Sequence, residues 1–183
     1  MSRSIVFVKG SPSIASRSAV VTDALASEVR RAGILPVVWS LTDFDPSDVF
    51  FGHTEAPAIV RFLEAVKGAA ALVLSTPVYK AAYTGALKAI VDLIPPDALV
   101  GRPILGIATA RLAAHTAEVD RAFGGLVGFF KARPVNTLVV LDSDVQVAGG
   151  VGRLLGGSEE RVRQTASALL GALSDAPPIA PNP

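Results

Sequence analysis

The sequence contains no cysteine and little charge of either sign. Without thiols the chain has no disulfide, no thiolate nucleophile and no cysteine-ligated metal. Only 18% of the residues are charged, and the 17 basic and 16 acidic residues leave a net charge of +1. Because these charges are scattered, they indicate neither a nucleic acid nor an anionic membrane as a partner. We therefore expect the binding partner to be a small molecule.

Histidine is scarce, and the N-terminus lacks a long apolar run. The two histidines, His53 and His115, lie far apart and no carboxylates stand near them at metal-ligand spacing, so we expect no metal site. The first apolar run has only about four residues before Lys9, which is too short for a secretory signal or a membrane span. These absences favour a cytoplasmic enzyme without membrane attachment.

Half of the 183 residues are hydrophobic, which is enough for a full core. We predict one domain over residues 1–174 and, because its few apolar residues stand among prolines, a disordered tail over 175–183. The high apolar content also indicates apolar surface between subunits, so we expect a homo-oligomer.

Apolar runs and helical periodicities alternate along the chain. Near-continuous apolarity indicates strands that are covered on both faces of a parallel sheet, and Pro36 marks the second run as an edge strand. Strands that alternate with helices predict an α/β fold with a doubly wound, five-stranded, flavodoxin-like sheet of order 2-1-3-4-5. Ligands of such sheets bind at the carboxyl ends of strands 1, 3 and 4. The predicted strands cover 4–8, 35–41, 70–75, 103–109 and 135–141, and the predicted helices 17–32, 57–67, 85–94, 113–132 and 158–173.

The first strand is followed by "KGSPSIASRSAVV". Gly10 permits an unusual turn there, while serine hydroxyls, the charge of Arg17 and the free N–H groups of a helix N-terminus form a phosphate cradle in composition and position. The pattern matches neither the dinucleotide-binding glycine motif nor the P-loop. An ordinary serine-rich loop with Ser16 as the helix N-cap is the alternative. The candidate phosphate ligands are Ser11, Ser16, Arg17 and Ser18.

The third strand is followed by "TPVYKAAYTGALK". Two tyrosines and a lysine before a helix are more aromatic and cationic than a connection needs. Pro77 fixes the chain as it leaves the sheet, Val78 and Tyr79 offer backbone groups and a ring edge, and Lys80 offers a charged donor. The alternative is that the tyrosines only cover apolar surface.

Together, "GSPSIASRS" and "TPVYKAAYTGALKAIVDLIP" resemble the NAD(P)H-dependent FMN reductases, and in particular the sulfonate-utilisation branch that supplies reduced flavin to two-component monooxygenases. The resemblance runs from about residue 4 to residue 146 and implies FMN and NAD(P)H as cofactors. It implies that Ser11, Ser16, Arg17 and Ser18 hold the FMN phosphate. It also implies that Pro77, Val78, Tyr79 and Lys80 line the isoalloxazine, with Gly85 allowing close approach of the following helix.

One motif departs from the family. After the fourth strand the family usually has a Thr-Gly-Gly turn whose backbone meets the flavin, whereas this chain has Thr109, Ala110 and Arg111. Because the last two lack the freedom of glycine at positive φ, we expect the local path or the flavin contact to differ. Arg111 either bonds a flavin oxygen or is solvated. We expect no catalytic acid or base, since hydride passes directly from nicotinamide to flavin.

The helix predicted over 113–132 has apolar residues around much of its circumference, so we expect it to form a homodimer or homotetramer interface. The branch often has a tyrosine or histidine there, inserted as a π-bulge, where this chain has Arg121. At that interface Asp120 or Glu118 is a local partner for the arginine, and a solvated arginine is the alternative. His115 is interpreted as a capping or interface residue. An FMN-containing quinone or azo reductase, a flavodoxin-type electron carrier and a protein that has lost its flavin remain alternative functions.

Overall fold

A computed structural model describes residues 3–13, 15–149 and 151–174. Five parallel strands form one sheet of order β2-β1-β3-β4-β5, and two further strands form an antiparallel hairpin. This confirms the predicted doubly wound α/β sheet. The strands are β1 (Ser4–Lys9), β2 (Leu35–Ser40), β3 (Ala71–Pro77), β4 (Pro103–Ala110), β5 (Arg133–Leu141), β6 (Val145–Ala148) and β7 (Val151–Leu154). The helices are α1 (Arg17–Arg31), α2 (Pro46–Phe51), α3 (Pro57–Gly68), α4 (Gly85–Val91), α5 (Thr116–Phe129) and α6 (Ser158–Ser174).

The strand register aligns the carboxyl ends of the three central strands. Lys9 at the end of β1 pairs with Ser75 in β3, and Pro77 at the end of β3 pairs with Thr109 in β4. The loops that follow these strands therefore start at neighbouring points along one edge of the sheet. This edge is where open α/β sheets bind their ligands.

The core has two layers, one on each face of the sheet. Helices α3, α4 and α5 cover one face, while α1, α6 and the β6–β7 hairpin cover the other. All eight residues of β4 are buried, as expected for a strand with helices on both sides. The continuous apolar runs thus identified the strands correctly.

Helix boundaries follow local chemistry. Ser16 and Thr84 cap α1 and α4, Pro57 occupies the first turn of α3, and Gly33 follows α1 at φ 80°. The prediction was too long for α4 and α5, because α4 ends at Val91 and a 3-10 turn precedes α5. Within the described ranges, no helix has the length and apolarity needed to cross a membrane.

Two elements were missed by the sequence patterns, α2 and the β6–β7 hairpin. The helix has six residues and each hairpin strand has four, so neither is long enough to show a clear periodicity. The predicted tail, 175–183, lies outside the described residues.

Both edge strands of the sheet carry a proline as their second residue. The Leu35 N–H donates inward to the Arg3 carbonyl (3.3 Å), and the Arg133 N–H donates inward to the Arg102 carbonyl (2.9 Å). Because successive backbone groups alternate in direction along a strand, the nitrogens of Pro36 and Pro134 face outward. The predicted edge position of Pro36 is confirmed, and β5 shows the same arrangement.

Candidate active site

Three loops meet at the carboxyl edge of the sheet and are joined by hydrogen bonds. Directly after β1 in the chain, the Gly10 N–H donates to the Ser75 carbonyl (2.7 Å). The Gly10 carbonyl accepts a bond from the Thr84 hydroxyl (2.6 Å), which belongs to the loop after β3. The loop after β3 is bonded in turn to the end of β4, since the Val78 N–H donates to the Thr109 carbonyl (2.8 Å). The three predicted groups of site residues therefore lie side by side at the carboxyl edge of the sheet, where sheets of this kind have their ligand-binding crevice.

The serines of the first loop are held largely by the protein itself. The Ser16 hydroxyl accepts the Ala19 N–H (3.0 Å) and lies 3.1 Å from the Ser18 hydroxyl. Ser18 is only 1% exposed, so its hydroxyl lies beneath Ser16 rather than at the surface. The Ser11 oxygen accepts the Ser13 N–H (3.2 Å), which closes the start of the loop. Ser16 is thus an N-cap, the alternative raised by the sequence, at the start of the cradle.

The start of α1 carries uncompensated positive charge. Arg17 is the first residue of the helix, is exposed, and has no acidic residue near it in the first turn. The positive end of a helix dipole favours an anion and disfavours a cation by about 0.3 to 1 kcal/mol. A cation at this position is unfavourable in the free chain, and an anion bound at the helix start would offset that cost. The electrostatics of the first loop therefore suit a phosphate group.

Gly10 and Gly85, at the two ends of the site, differ in the space that surrounds them. A Cβ added to Gly10 would lie 2.5 Å from the Leu87 Cβ and 2.8 Å from the Ser75 carbonyl oxygen. Gly10 is not among the residues with positive φ, so the expected unusual turn is wrong and close packing is the physical reason for this glycine. A Cβ added to Gly85 would meet nothing within 4 Å. The first residue of α4 therefore leaves open space beside the crevice.

Thr84 caps α4 and also connects the loops after β1 and β3. It is 3% exposed, and besides its bond to Gly10 its hydroxyl accepts the Leu87 N–H (3.0 Å). Its own N–H donates to the Thr76 hydroxyl (3.0 Å). One buried side chain thus fixes the start of α4, the end of β3 and the loop after β1. The sequence shows a threonine between an aromatic loop and a helix, but nothing in it indicates the distant residue to which this hydroxyl bonds.

The second loop contains a two-residue turn in a strained conformation. Tyr79 and Ala82 exchange both backbone hydrogen bonds (2.9 and 3.1 Å), and the residues between them, Lys80 and Ala81, have φ of 53° and 63°. This is the backbone of a type I′ turn, which normally contains Asn-Gly or other residues that tolerate positive φ. For other residues the left-handed region costs about 1–2 kcal/mol each. The turn presents Tyr79, which is 52% exposed, and Lys80 to solvent.

The third group of predicted residues, Thr109, Ala110 and Arg111, lies at the end of β4 and just after it. Thr109 is buried, and Arg111 is exposed. Neither these two residues nor Ala110 has a positive φ, so the chain follows a path that ordinary residues tolerate. Arg111 forms no ion pair with the carboxylates of the described ranges. Its charge is therefore directed at the solvent side of the crevice edge.

Helix α5 packs on the site from one side. Phe123 lies against β4, where a Cβ added to Gly106 would be 2.5 Å from its ring, and its centroid is 5.7 Å from that of Tyr83. The helix is continuous from Thr116 to Phe129, and no π-helical turn occurs in it. His115 stands at the N-cap position, but its side chain makes no capping bond.

Two surface grooves lie outside this crevice. One, of about 500 Å³, runs between α1, β7 and α6, and the other, of about 410 Å³, lies between the start of α5 and β5. Neither is lined by a residue predicted to contact flavin. The candidate site is an open edge with a cationic end and a ring-lined end, and such an edge suits a flat ligand that carries an anionic tail.

Comparison with known proteins identifies such a ligand. Residues 3–146 match the family model described as NADPH-dependent FMN reductase. A protein named FMN reductase (NADPH), from Pseudomonas putida (strain KT2440), is 34% identical over 182 residues, which cover 97% of this chain and 92% of the relative. A protein named NADH-dependent FMN reductase SfnF, from Pseudomonas fluorescens (strain Pf0-1), is 33% identical over 133 residues, 70% of each chain.

A solved structure has the same fold. The apo form of an NADH:FMN oxidoreductase, EMOB, superposes with a TM-score of 0.78 at 27% identity, covering 96% of this chain and 91% of that one. The family resemblance predicted from the two loops is confirmed by these matches.

Proposed function

Because the chain belongs to the NADPH-dependent FMN reductase family, we propose that it reduces free FMN and releases the product to a two-component monooxygenase of the sulfonate-desulfonating type. It is an NAD(P)H-dependent FMN oxidoreductase, and the family uses FMN and NAD(P)H. The name of the relative SfnF supports the finer assignment to the sulfonate-utilisation branch. The proposal therefore concerns the fate of the flavin, not the class of reaction.

The start of α1 is proposed to bind the FMN phosphate, and the positive charge there is the observation that carries this placement. Arg17 adds its charge to a helix N-terminus that has no acidic residue in its first turn. Backbone N–H groups of that turn and the Ser11 hydroxyl, which donates its O–H, complete a donor set of the kind that holds phosphate esters. Ser16 and Ser18 shape this loop through their mutual contact.

The loop after β3 is proposed to hold the isoalloxazine. Pro77 and Val78 provide an apolar wall, while the exposed Tyr79 ring and the Lys80 ammonium lie at its outer end. The open space at Gly85 allows a ring to approach the start of α4. When bound, FMN accepts hydride directly from the nicotinamide, so these residues orient the ring instead of transferring protons.

The shape of the crevice favours FMN as a substrate over FMN as a resident cofactor. Tyr79, Lys80 and Arg111, three of the residues proposed to contact the flavin, are all exposed. A flavin held along an open edge keeps much of its surface in water, which lowers the free energy of binding and allows release after each turnover. This supports transfer of reduced flavin to a second enzyme.

Steady-state kinetics test this proposal. We expect the rate of NAD(P)H oxidation to rise and saturate with added free FMN, and the reduced flavin to appear in solution under anaerobic conditions. Purified protein should retain no stoichiometric flavin after gel filtration. A rate that is independent of added FMN and requires a quinone as acceptor would instead identify a quinone reductase that contains FMN.

A homodimer or homotetramer is proposed to form through the exposed side of α5. Phe129 is 63% exposed there, and one carboxylate oxygen of Glu118 is buried without a partner among the described residues. Arg121 is exposed one turn after Glu118, and a carboxylate of a facing copy would be the charge partner that an arginine needs when an interface buries it. Light scattering of the wild-type chain and of Arg121→Ala measures this: an unchanged mass and unchanged FMN affinity would remove Arg121 from the interface.

A further inference from the structure

The β6–β7 hairpin lies against the start of α1, close to the proposed phosphate site. Its ends are anchored by Val145 and Leu154, which are buried in the core, and the Leu155 N–H donates to the Asp144 carbonyl (2.8 Å) at its base. A Cβ added to Gly152 would lie 2.1 Å from a methyl carbon of Val20 in α1. The hairpin backbone is therefore seated directly on the helix.

This hairpin also contacts Arg17. The Arg17 Nε donates to the Val145 carbonyl (3.3 Å), a bond across 128 residues of chain. A guanidinium has five N–H donors in one plane, so a bond at Nε leaves the two terminal nitrogens available. Arg17 forms no ion pair with a carboxylate in the described parts of the chain. Its terminal nitrogens are thus oriented by the hairpin without being neutralised.

We propose that the β6–β7 hairpin is a positioning element that fixes the Arg17 guanidinium for the phosphate of FMN, and that Gly152 makes this possible by allowing the hairpin to lie on Val20. This inference rests on the proposed phosphate site. An unrestrained arginine loses rotamer freedom when it binds an anion, and this loss weakens binding. A guanidinium that the hairpin already holds loses less. The hairpin thereby favours FMN over riboflavin, which has the same ring without the phosphate.

The structure separates this role from general support of the fold. A change at Arg17 or at the hairpin should alter binding of the phosphate and leave binding of the isoalloxazine unchanged. The informative quantity is therefore the ratio of the dissociation constants of riboflavin and FMN, measured by quenching of flavin fluorescence. Because this ratio is a binding measurement, it does not depend on turnover.

The test is a double-mutant cycle. Arg17→Ala should lower the preference for FMN about 10- to 100-fold, as expected for charge-assisted phosphate bonds. Gly152→Ala should lower it about 2- to 10-fold with unchanged riboflavin affinity. In the Arg17→Ala background, Gly152→Ala should have no further effect, because the group that the hairpin positions is already absent. Val20→Ala combined with Gly152→Ala removes the two methyl contacts and should restore the preference in part, because the Cβ of residue 20 still lies 3.0 Å from the added carbon.

Arg17→Lys keeps the test decisive if Gly152→Ala fails to fold. Lysine retains the charge but has one terminal nitrogen, which cannot bond Val145 and a phosphate in the fork geometry of arginine. We expect an FMN preference between those of wild type and Arg17→Ala. Equal losses of FMN and riboflavin affinity in Gly152→Ala, additive effects in the cycle, or a wild-type preference in Arg17→Lys would overturn the role of the hairpin. A wild-type preference in Arg17→Ala would instead overturn the proposed phosphate site itself.

Discussion

The loops after β1 and β3 both line the crevice, but they are held in different ways. In the first loop the serine hydroxyls bond to the backbone or to each other, and none of its described residues has a positive φ. In the second loop Lys80 and Ala81 are held at positive φ, and Tyr79 is half exposed. In the first loop Ser11, Ser16 and Ser18 are held by bonds within the loop, whereas the second loop keeps an unfavourable conformation at the surface.

This difference matches the two ends of the proposed ligand. A phosphate needs hydrogen-bond donors in fixed positions. A loop that is held in place by its own hydrogen bonds presents its remaining donors without rearrangement. A flat ring needs a shaped surface, and a strained turn persists only where neighbouring bonds determine it. Those bonds are Val78 to Thr109 on one side and Thr84 to Thr76 on the other.

The largest effect is expected where the two loops touch. Gly10→Ala places a Cβ 2.5 Å from the Leu87 Cβ and 2.8 Å from a backbone oxygen, and neither neighbour can move without shifting α4 or β3. Overpacking of this kind should lower the free energy of unfolding by about 3 kcal/mol. Chemical denaturation measures it.

Gly85→Ala is the matched control, since its Cβ meets nothing within 4 Å. It should leave the free energy of unfolding unchanged or raise it slightly through helix propensity, yet weaken FMN binding because the added methyl occupies the open space. Equal losses of stability in Gly10→Ala and Gly85→Ala would show that close packing is not what distinguishes the two positions.

A smaller loss is expected at the residue that bonds the loops together. Thr84→Val keeps the shape of the side chain but leaves the Gly10 carbonyl and the Leu87 N–H without their partner. The free energy of unfolding should fall by about 2 kcal/mol. Thr84→Ser keeps the hydroxyl and should lie close to wild type. If Thr84→Ser is destabilising and Thr84→Val is not, the methyl group matters and the hydrogen bonds do not.

The smallest effect is expected in the strained turn and has the opposite sign. Ala81→Gly relieves a φ of 63° at a position that glycine tolerates. Relief of about 1–2 kcal/mol, offset by the greater flexibility of glycine when unfolded, should stabilise the protein by about 0.5–1 kcal/mol. Ala82→Gly, at a neighbouring position without positive φ, should destabilise it instead. Thermal unfolding measures whether Ala81→Gly raises the stability of the protein while Ala82→Gly lowers it. Destabilisation by Ala81→Gly would show that the turn is not strained.

The sheet could be predicted from the sequence because its strands are long and apolar throughout. Strand order followed from the alternation of strands and helices, and the loops after strands 1 and 3 could be placed at one edge from that order alone. The role of Ser16 as a cap was likewise visible as a serine at the start of an apolar helical pattern.

The remaining features depend on contacts that are distant in sequence. Nothing near Thr84 indicates that its hydroxyl bonds to Gly10, 74 residues earlier. The turn at Lys80 and Ala81 contradicts local preference, since neither residue favours positive φ. The hairpin strands are too short for periodicity to detect, so the contact between Arg17 and Val145 was also hidden.

The outward-facing prolines of β2 and β5 limit how molecules of this protein can associate. An unpaired strand edge is a template for another strand, and that route leads to open-ended aggregates. Pro36 and Pro134 remove an outward N–H near the start of each edge, so an incoming strand finds no donor there. Growth of the sheet beyond five strands is therefore discouraged at both sides. The proposed homo-oligomer would then form through helix faces, where a rotational symmetry can close the assembly at a fixed number of subunits.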